Sequence, residues 1–207
     1  MTSHPAVTPQ AKAEGRKAAP AGSLSFDAGY LPTEQLPRRF VAVVSDAGNA
    51  RARLTIDGVG VGDHLTDNSW IDDGFRYHDV FHLANAAVLG WSPCLRRMLG
   101  RKRKSIPRVD EIEDGARAII LEETIVALIF DYCSSHGWLE ESQVIESAFL
   151  RLLARLTSHL ECAACPLDLW SDAIRDGASA WRALRRDGHA ALVGDLSRRC
   201  LETNASA

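Results

Sequence analysis

Apolar and polar positions alternate early in the chain and change to a helical spacing at Gly74. Phe40-Val-Ala-Val-Val44 and Ala50-Arg-Ala-Arg-Leu-Thr-Ile56 read as strands parted by the turn Ser45-Asp-Ala-Gly-Asn49. Asp57-Gly58 then turns tightly into Val59-Gly-Val61. The helical pattern predicts a first helix from Gly74 to Leu89, with Gly90 suited to its C-terminal stop. Ser92-Pro93 supplies an N-cap and a first-turn proline for a short helix over Cys94–Leu99. A long helix follows from about Val109 to Cys133, then two more, roughly Glu141–Leu160 and Leu167–Arg186. The stretch 190–201 reads as a short hairpin able to join the first strands. The expected fold class is mainly α: a helical bundle with a small antiparallel β-sheet formed by N-terminal strands and a C-terminal hairpin. Residues 1–24 lack periodicity and are rich in Ala, Pro, Lys and Ser, which predicts a disordered tail. The folded domain is expected over 25–200, with a disordered end at 201–207.

Composition narrows the function classes. At 207 residues and 46% hydrophobic the chain can bury one ordinary core. A net charge of -3 provides no basic field for nucleic acid or anionic membrane, so neither is expected as a partner. No apolar run reaches the roughly 18–20 residues that span a bilayer, and no secretory h-region opens the chain. A cytoplasmic location is the default expectation. The cysteines are odd in number and irregularly spaced, which favours buried packing roles. Cys162-Ala-Ala-Cys165, with His159 nearby, leaves half a zinc site or a redox pair as the alternative.

Two helical segments carry polar groups where packing predicts apolar ones. On a wheel of the first helix His78, Asp79, His82 and Asn85 fall in one arc of roughly 120°. Apolar side chains fill most of the remaining circumference. His78 and His82 are four apart, so their rings stand one above the other, as two imidazoles sharing a metal require. In the long helix Glu122 and Glu123 interrupt a segment that is apolar in nearly every direction, which predicts a central buried helix. Buried carboxylates need cations, a metal or imidazolium. The expectation is His78, His82 and Glu123 as metal ligands, with Asp79 and Glu122 in catalytic roles and Asn85, Asp114 and Arg117 supporting. One of the two glutamates pairing with Arg117 or Arg76 to hold the core is the bland alternative. The run Arg101-Lys102-Arg103-Lys104 is either a solvated cluster or a phosphate-binding loop.

A longer pattern carries a resemblance. Gly62-Asp-His-Leu-Thr-Asp-Asn68 precedes Asp72-Asp-Gly-Phe-Arg-Tyr-His-Asp-Val-Phe-His82. Leu89-Gly-Trp-Ser-Pro93, Arg101-Lys-Arg-Lys-Ser105, Glu113-Asp-Gly-Ala-Arg117 and Ile120-Leu-Glu-Glu123 continue it. Over about residues 25–200 the chain resembles the C-terminal domain of MazG-like nucleotide pyrophosphohydrolases. Such enzymes are all-α, magnesium-dependent hydrolases of nucleoside triphosphates, with an EExxE and ExxD carboxylate set in a domain preceding this one. That set is absent here, and residues 1–24 are too short to hold the domain that bears it. The resemblance implies a nucleotide or another phosphate-bearing small molecule as ligand. It leaves two readings: metal-dependent hydrolysis of a nucleoside triphosphate or related phosphoester by this domain, or a non-catalytic nucleotide-sensing or interaction module. The partner would be a homo-oligomer mate or a separate pyrophosphohydrolase. The cofactor expected is a divalent metal ion (Mg, Mn or Zn), the histidines favouring the softer ions.

Overall fold

A computed structural model describes residues 25–140 and 144–204; the predicted N-terminal tail lies outside them. Five antiparallel strands make one sheet in the order β3-β2-β1-β4-β5. They are β1 (Arg39–Asp46), β2 (Ala52–Ile56), β3 (Val59–Leu65), β4 (His189–Asp195) and β5 (Cys200–Thr203). Asp57 and Gly58 both hold positive φ, as the tight turn between β2 and β3 demands, and Ile56 pairs with Val59 across it. The C-terminal hairpin enters beside β1, where Phe40 faces Gly194 and Ala42 faces Leu192. Alternate residues of β1 and β2, from Phe40 to Ile56, are buried on a single face.

This sheet corrects the expected helical bundle with a small accessory sheet. Helix is the main element, yet the fold is mixed α/β: the N-terminal strands and the C-terminal hairpin do join, but in one continuous five-stranded sheet that is a layer of the fold in its own right. The last strand also carries the fold to Thr203, past the expected boundary at 200.

Behind the sheet lies α6 (Leu167–Asp187), which packs on β4 and β5 and on α1 (Asp79–Ala84). The approach to α1 is close because Gly177 has no side chain; a Cβ there would overlap the Phe81 ring. The first predicted helix is in fact three pieces. A 3-10 turn over Phe75–Tyr77 leads into α1, and a π turn over Asn85–Leu89 ends at Gly90 in the left-handed region. Trp181 Nε1 donates to the Gly74 carbonyl at 3.0 Å and so fixes where this segment starts.

Helix α2 (Pro93–Met98) opens on Ser92, whose hydroxyl accepts the Leu95 N–H. The long predicted helix breaks into α3 (Pro107–Ile112) and α4 (Ala116–Ser135). Its break falls at Asp114, whose buried carboxylate accepts the backbone N–H and the guanidinium of Arg103. The expectation that α4 is apolar and buried all round is also corrected. Ile120, Glu123, Thr124 and Ala127 form an exposed stripe along it, with Ile120 65% exposed. Helix α5 (Ser147–Leu156) completes the set. No helix among the described residues is long and apolar enough to cross a membrane.

Candidate metal centre

Helices α1 and α4 face each other and bring His78, Asp79, His82, Glu122 and Glu123 into one cluster, closed on the third side by the start of α2. His82 is the centre. It is 1% exposed, with Glu122 Oε1 3.0 Å from Nδ1 and Glu123 Oε2 3.4 Å from Nε2. Close as these oxygens are, neither ring nitrogen makes an aligned hydrogen bond among the described residues. Burial opposes charge on this ring, but the Glu122 carboxylate outweighs it and raises the His82 pKa well above its ordinary value.

Glu122 is fully buried. Asn85 Nδ2 donates to its Oε1 at 3.3 Å and the Cys94 N–H to its Oε2 at 2.8 Å. The Asn85 that opens the π turn and the Cys94 that starts α2 thus meet on one carboxylate. Arg76 and Arg117, the alternative partners, are elsewhere: Arg76 bonds Asp67 and Asp72, and Arg117 is exposed.

Glu123 stands at the mouth, about half exposed, 3.8 Å from His78 Nε2. The adjoining His82 ring, whose effect outweighs the cost of burial, holds its carboxyl down to about 2. His78 stacks on Phe75, with ring centroids 4.4 Å apart. Its Nδ1 lies 2.8 Å from the Phe75 carbonyl oxygen, which can only accept, so Nδ1 carries the proton. In the neutral ring this leaves Nε2 as a lone-pair donor facing Glu123 and Asp79, the latter at 3.8 Å. Burial, then the charge on His82, lower the His78 pKa and favour that neutral form. Among the described residues, two overlapping groups have ligand atoms close enough to hold an ion: His78, Asp79 and His82, and His82, Cys94 and Glu122.

Cys94 is the residue that sequence reading missed. Its Sγ lies 3.6 Å from Glu123 Oε1 and from the Ile119 carbonyl. Burial, reinforced by Glu122, pushes the thiol pKa up. Its one local signal is the Ser-Pro-Cys start of α2, where a free N–H awaits an acceptor.

The remaining predicted site residues lie outside the cluster. Asp114 sits at the break between α3 and α4. It serves Arg103, whose Nη1 also reaches Glu161 at 2.8 Å. Arg101 donates to the Pro32 and Gln35 carbonyls, and Lys102 pairs with Asp110 at 2.7 Å. Lys104 is exposed. Three of the four cations in the basic run are therefore committed within the fold. Cys162 and Cys165 are buried free thiols, their pKa values raised chiefly by burial.

An α/β domain whose helices enclose a histidine–carboxylate cluster is the class that fold and site define. Residues 21–207 match the family model of the MazG C-terminal domain, and the chain belongs to that family. No curated protein and no solved structure matches it.

Proposed function

We propose that the domain binds a divalent metal ion at His78, His82 and Glu123 and uses it to hydrolyse a nucleoside triphosphate or related phosphoester. One observation carries this reading. The buried His82 lies between two carboxylates, with Glu122 3.0 Å from Nδ1 and Glu123 3.4 Å from Nε2 and no aligned hydrogen bond at either. With the ring proton on Nδ1 toward Glu122, the Nε2 lone pair is left for a cation shared with Glu123. The donor set suits zinc, manganese or iron better than magnesium. When bound, such an ion polarises a phosphoryl oxygen and acidifies water.

The chain's own residues divide the remaining work. Glu122, locked by Asn85 and the Cys94 N–H, orients His82 and is a positioning residue. Asp79, buried beside His78, accepts the proton of the water that attacks phosphorus as the P–O bond to the leaving group breaks. Metal content and affinity are the test, with His78→Ala and Glu123→Gln alongside and phosphate release followed over a nucleotide panel. Tight binding that both variants weaken supports the reading, and a chain that takes up no divalent ion defeats it.

A second reading has its own support. With Arg101, Lys102 and Arg103 engaged internally, the cluster is anionic and has little of a phosphate cradle around it. Ile120 and Ala127 flank Glu123 on an exposed stripe of the kind partner proteins cover. On this reading the domain is a nucleotide-sensing or interaction module for a separate pyrophosphohydrolase. Metal binding without phosphate release from any nucleotide would favour it.

A further inference from the structure

We infer that Cys94 is a sulfur ligand of this centre, which makes it a site for a zinc-class, borderline-soft ion. The inference rests on the metal reading above and goes beyond it in naming a fourth ligand and, through it, the class of ion.

The geometry starts from Glu123. Its Oε2 lies 3.4 Å from His82 Nε2 and 3.8 Å from His78 Nε2, and its Oε1 lies 3.6 Å from Cys94 Sγ. Charge-assisted hydrogen bonds between nitrogen and carboxylate are shorter, about 2.7–2.9 Å. Ligands around tetrahedral zinc sit at about 2.0–2.3 Å from the ion, which places neighbouring donor atoms roughly 3.3–3.8 Å apart. The His82 and Cys94 separations fall inside that interval, and His78, at 3.8 Å, lies at its outer edge. Cys94 is also grouped with His82 and Glu122 within ligand-sharing range. The buried His82, whose ring nitrogens make no aligned hydrogen bond, places Nε2 against the same Glu123 carboxylate.

The backbone explains why the sulfur is there. The Cys94 N–H is held by Glu122 Oε2 at 2.8 Å, so a carboxylate of α4 fixes the first turn of α2. With that residue pinned, its side chain lies between the Ile119 carbonyl and Glu123. The thiol is 4% exposed and close to its neighbours, a placement suited to internal coordination more than to reaction with solutes. Binding replaces the S–H proton, which leaves to solvent, by the metal. No oxidant or reductant is needed. A thiolate among nitrogen and oxygen donors disfavours magnesium and calcium and selects zinc, cobalt or ferrous iron.

Cobalt(II) titration of the full chain tests this directly. Tetrahedral cobalt gives visible ligand-field bands with any donor set, and a near-ultraviolet charge-transfer band only when thiolate is bound. Wild type is expected to show both, zinc to bleach both, and Cys94→Ser to lose the charge-transfer band while keeping the visible ones. The double variant Cys162→Ser/Cys165→Ser is expected to keep the charge-transfer band, which separates Cys94 from the buried pair. X-ray absorption of the zinc-loaded wild type, with one sulfur expected in the coordination shell, decides the matter even if Cys94→Ser fails to fold. Visible bands without charge transfer, or a shell of nitrogen and oxygen alone, overturn the sulfur ligand and leave the metal reading standing. No bands at all overturn both.

Discussion

Replacing Arg103 by methionine should unfold the domain more readily and should do so without reference to any ligand. Its guanidinium is fully buried and makes two hydrogen bonds to Asp114, at 3.0 and 2.7 Å, and one to Glu161 at 2.8 Å. Removing it leaves two carboxylates in the interior. Glu161 escapes most of the penalty, because burial, only partly offset by Arg103, already holds its carboxyl up at about 7 and it simply takes up a proton. Asp114 has less escape: it is completely buried, and Arg96 Nε stays 3.8 Å away. Breaking a buried pair typically costs about 3–5 kcal/mol, and the protonation of Glu161 places the expected loss near about 3. In a domain of this size that lowers the melting temperature by about 10 °C. Urea unfolding followed by circular dichroism measures it, with Lys104→Ala as the exposed control, expected within about 0.5 kcal/mol of wild type. Adding Asp114→Leu to Arg103→Met should restore part of the loss, since the orphaned charge goes with it. A loss below about 1 kcal/mol for Arg103→Met, or an equal loss for Lys104→Ala, would refute the buried-network account.

The two glutamates should behave oppositely. Glu122→Ala removes three buried interactions and is expected to cost about 3–5 kcal/mol in urea melts, whereas half-exposed Glu123→Gln should cost less than about 1 kcal/mol and still weaken metal binding. Gly177→Ala forces the Phe81 ring aside and should cost about 1–3 kcal/mol by thermal melt; a neutral result would mean that α1 and α6 separate freely. Asp176 gives a pH signature. Burial, opposed by the Leu201 N–H and assisted by Asp172 and Glu202, lifts its carboxyl to about 6, above the unfolded value. The folded state therefore holds that proton more tightly, and the stabilisation, complete below the unfolded pKa, is lost as pH rises through about 6. Asp176→Asn should then be more stable than wild type at pH 7 by about 1–2 kcal/mol, after allowance for partial exposure, and gain nothing at pH 4. Equal gains at both pH values would remove titration as the cause.

How far the sequence discloses this molecule depends on how local each signal is. His78 and His82 four residues apart, and paired glutamates in an apolar helix, are anomalies visible within a few turns, and the fold brings them together. The Asp57-Gly58 turn and the Gly90 stop were equally local. Cys94 was hidden because its role comes from a carboxylate 28 positions away. The basic run looked solvated or phosphate-binding because its partners lie far along the chain: Phe26 and Glu161 for Arg103, Pro32 and Gln35 for Arg101. The strand pattern showed that hairpins exist but not that the C-terminal one enters beside β1, since register against a distant strand leaves no periodic trace.

The irregular lead-in before β1 has a consequence for where the domain begins. Asp27 binds Arg96 at 2.6 Å, and Glu34 accepts from Ser105, so the polar stretch before β1 closes over α2 and the loop beyond it. A chain cut just before Arg39 would expose two buried guanidiniums and part of the core at once. Limited proteolysis should accordingly spare the 26–38 stretch while the sheet is intact. Its first cut there should coincide with global unfolding, so this strap of coil shares the lifetime of the native state instead of fraying ahead of it.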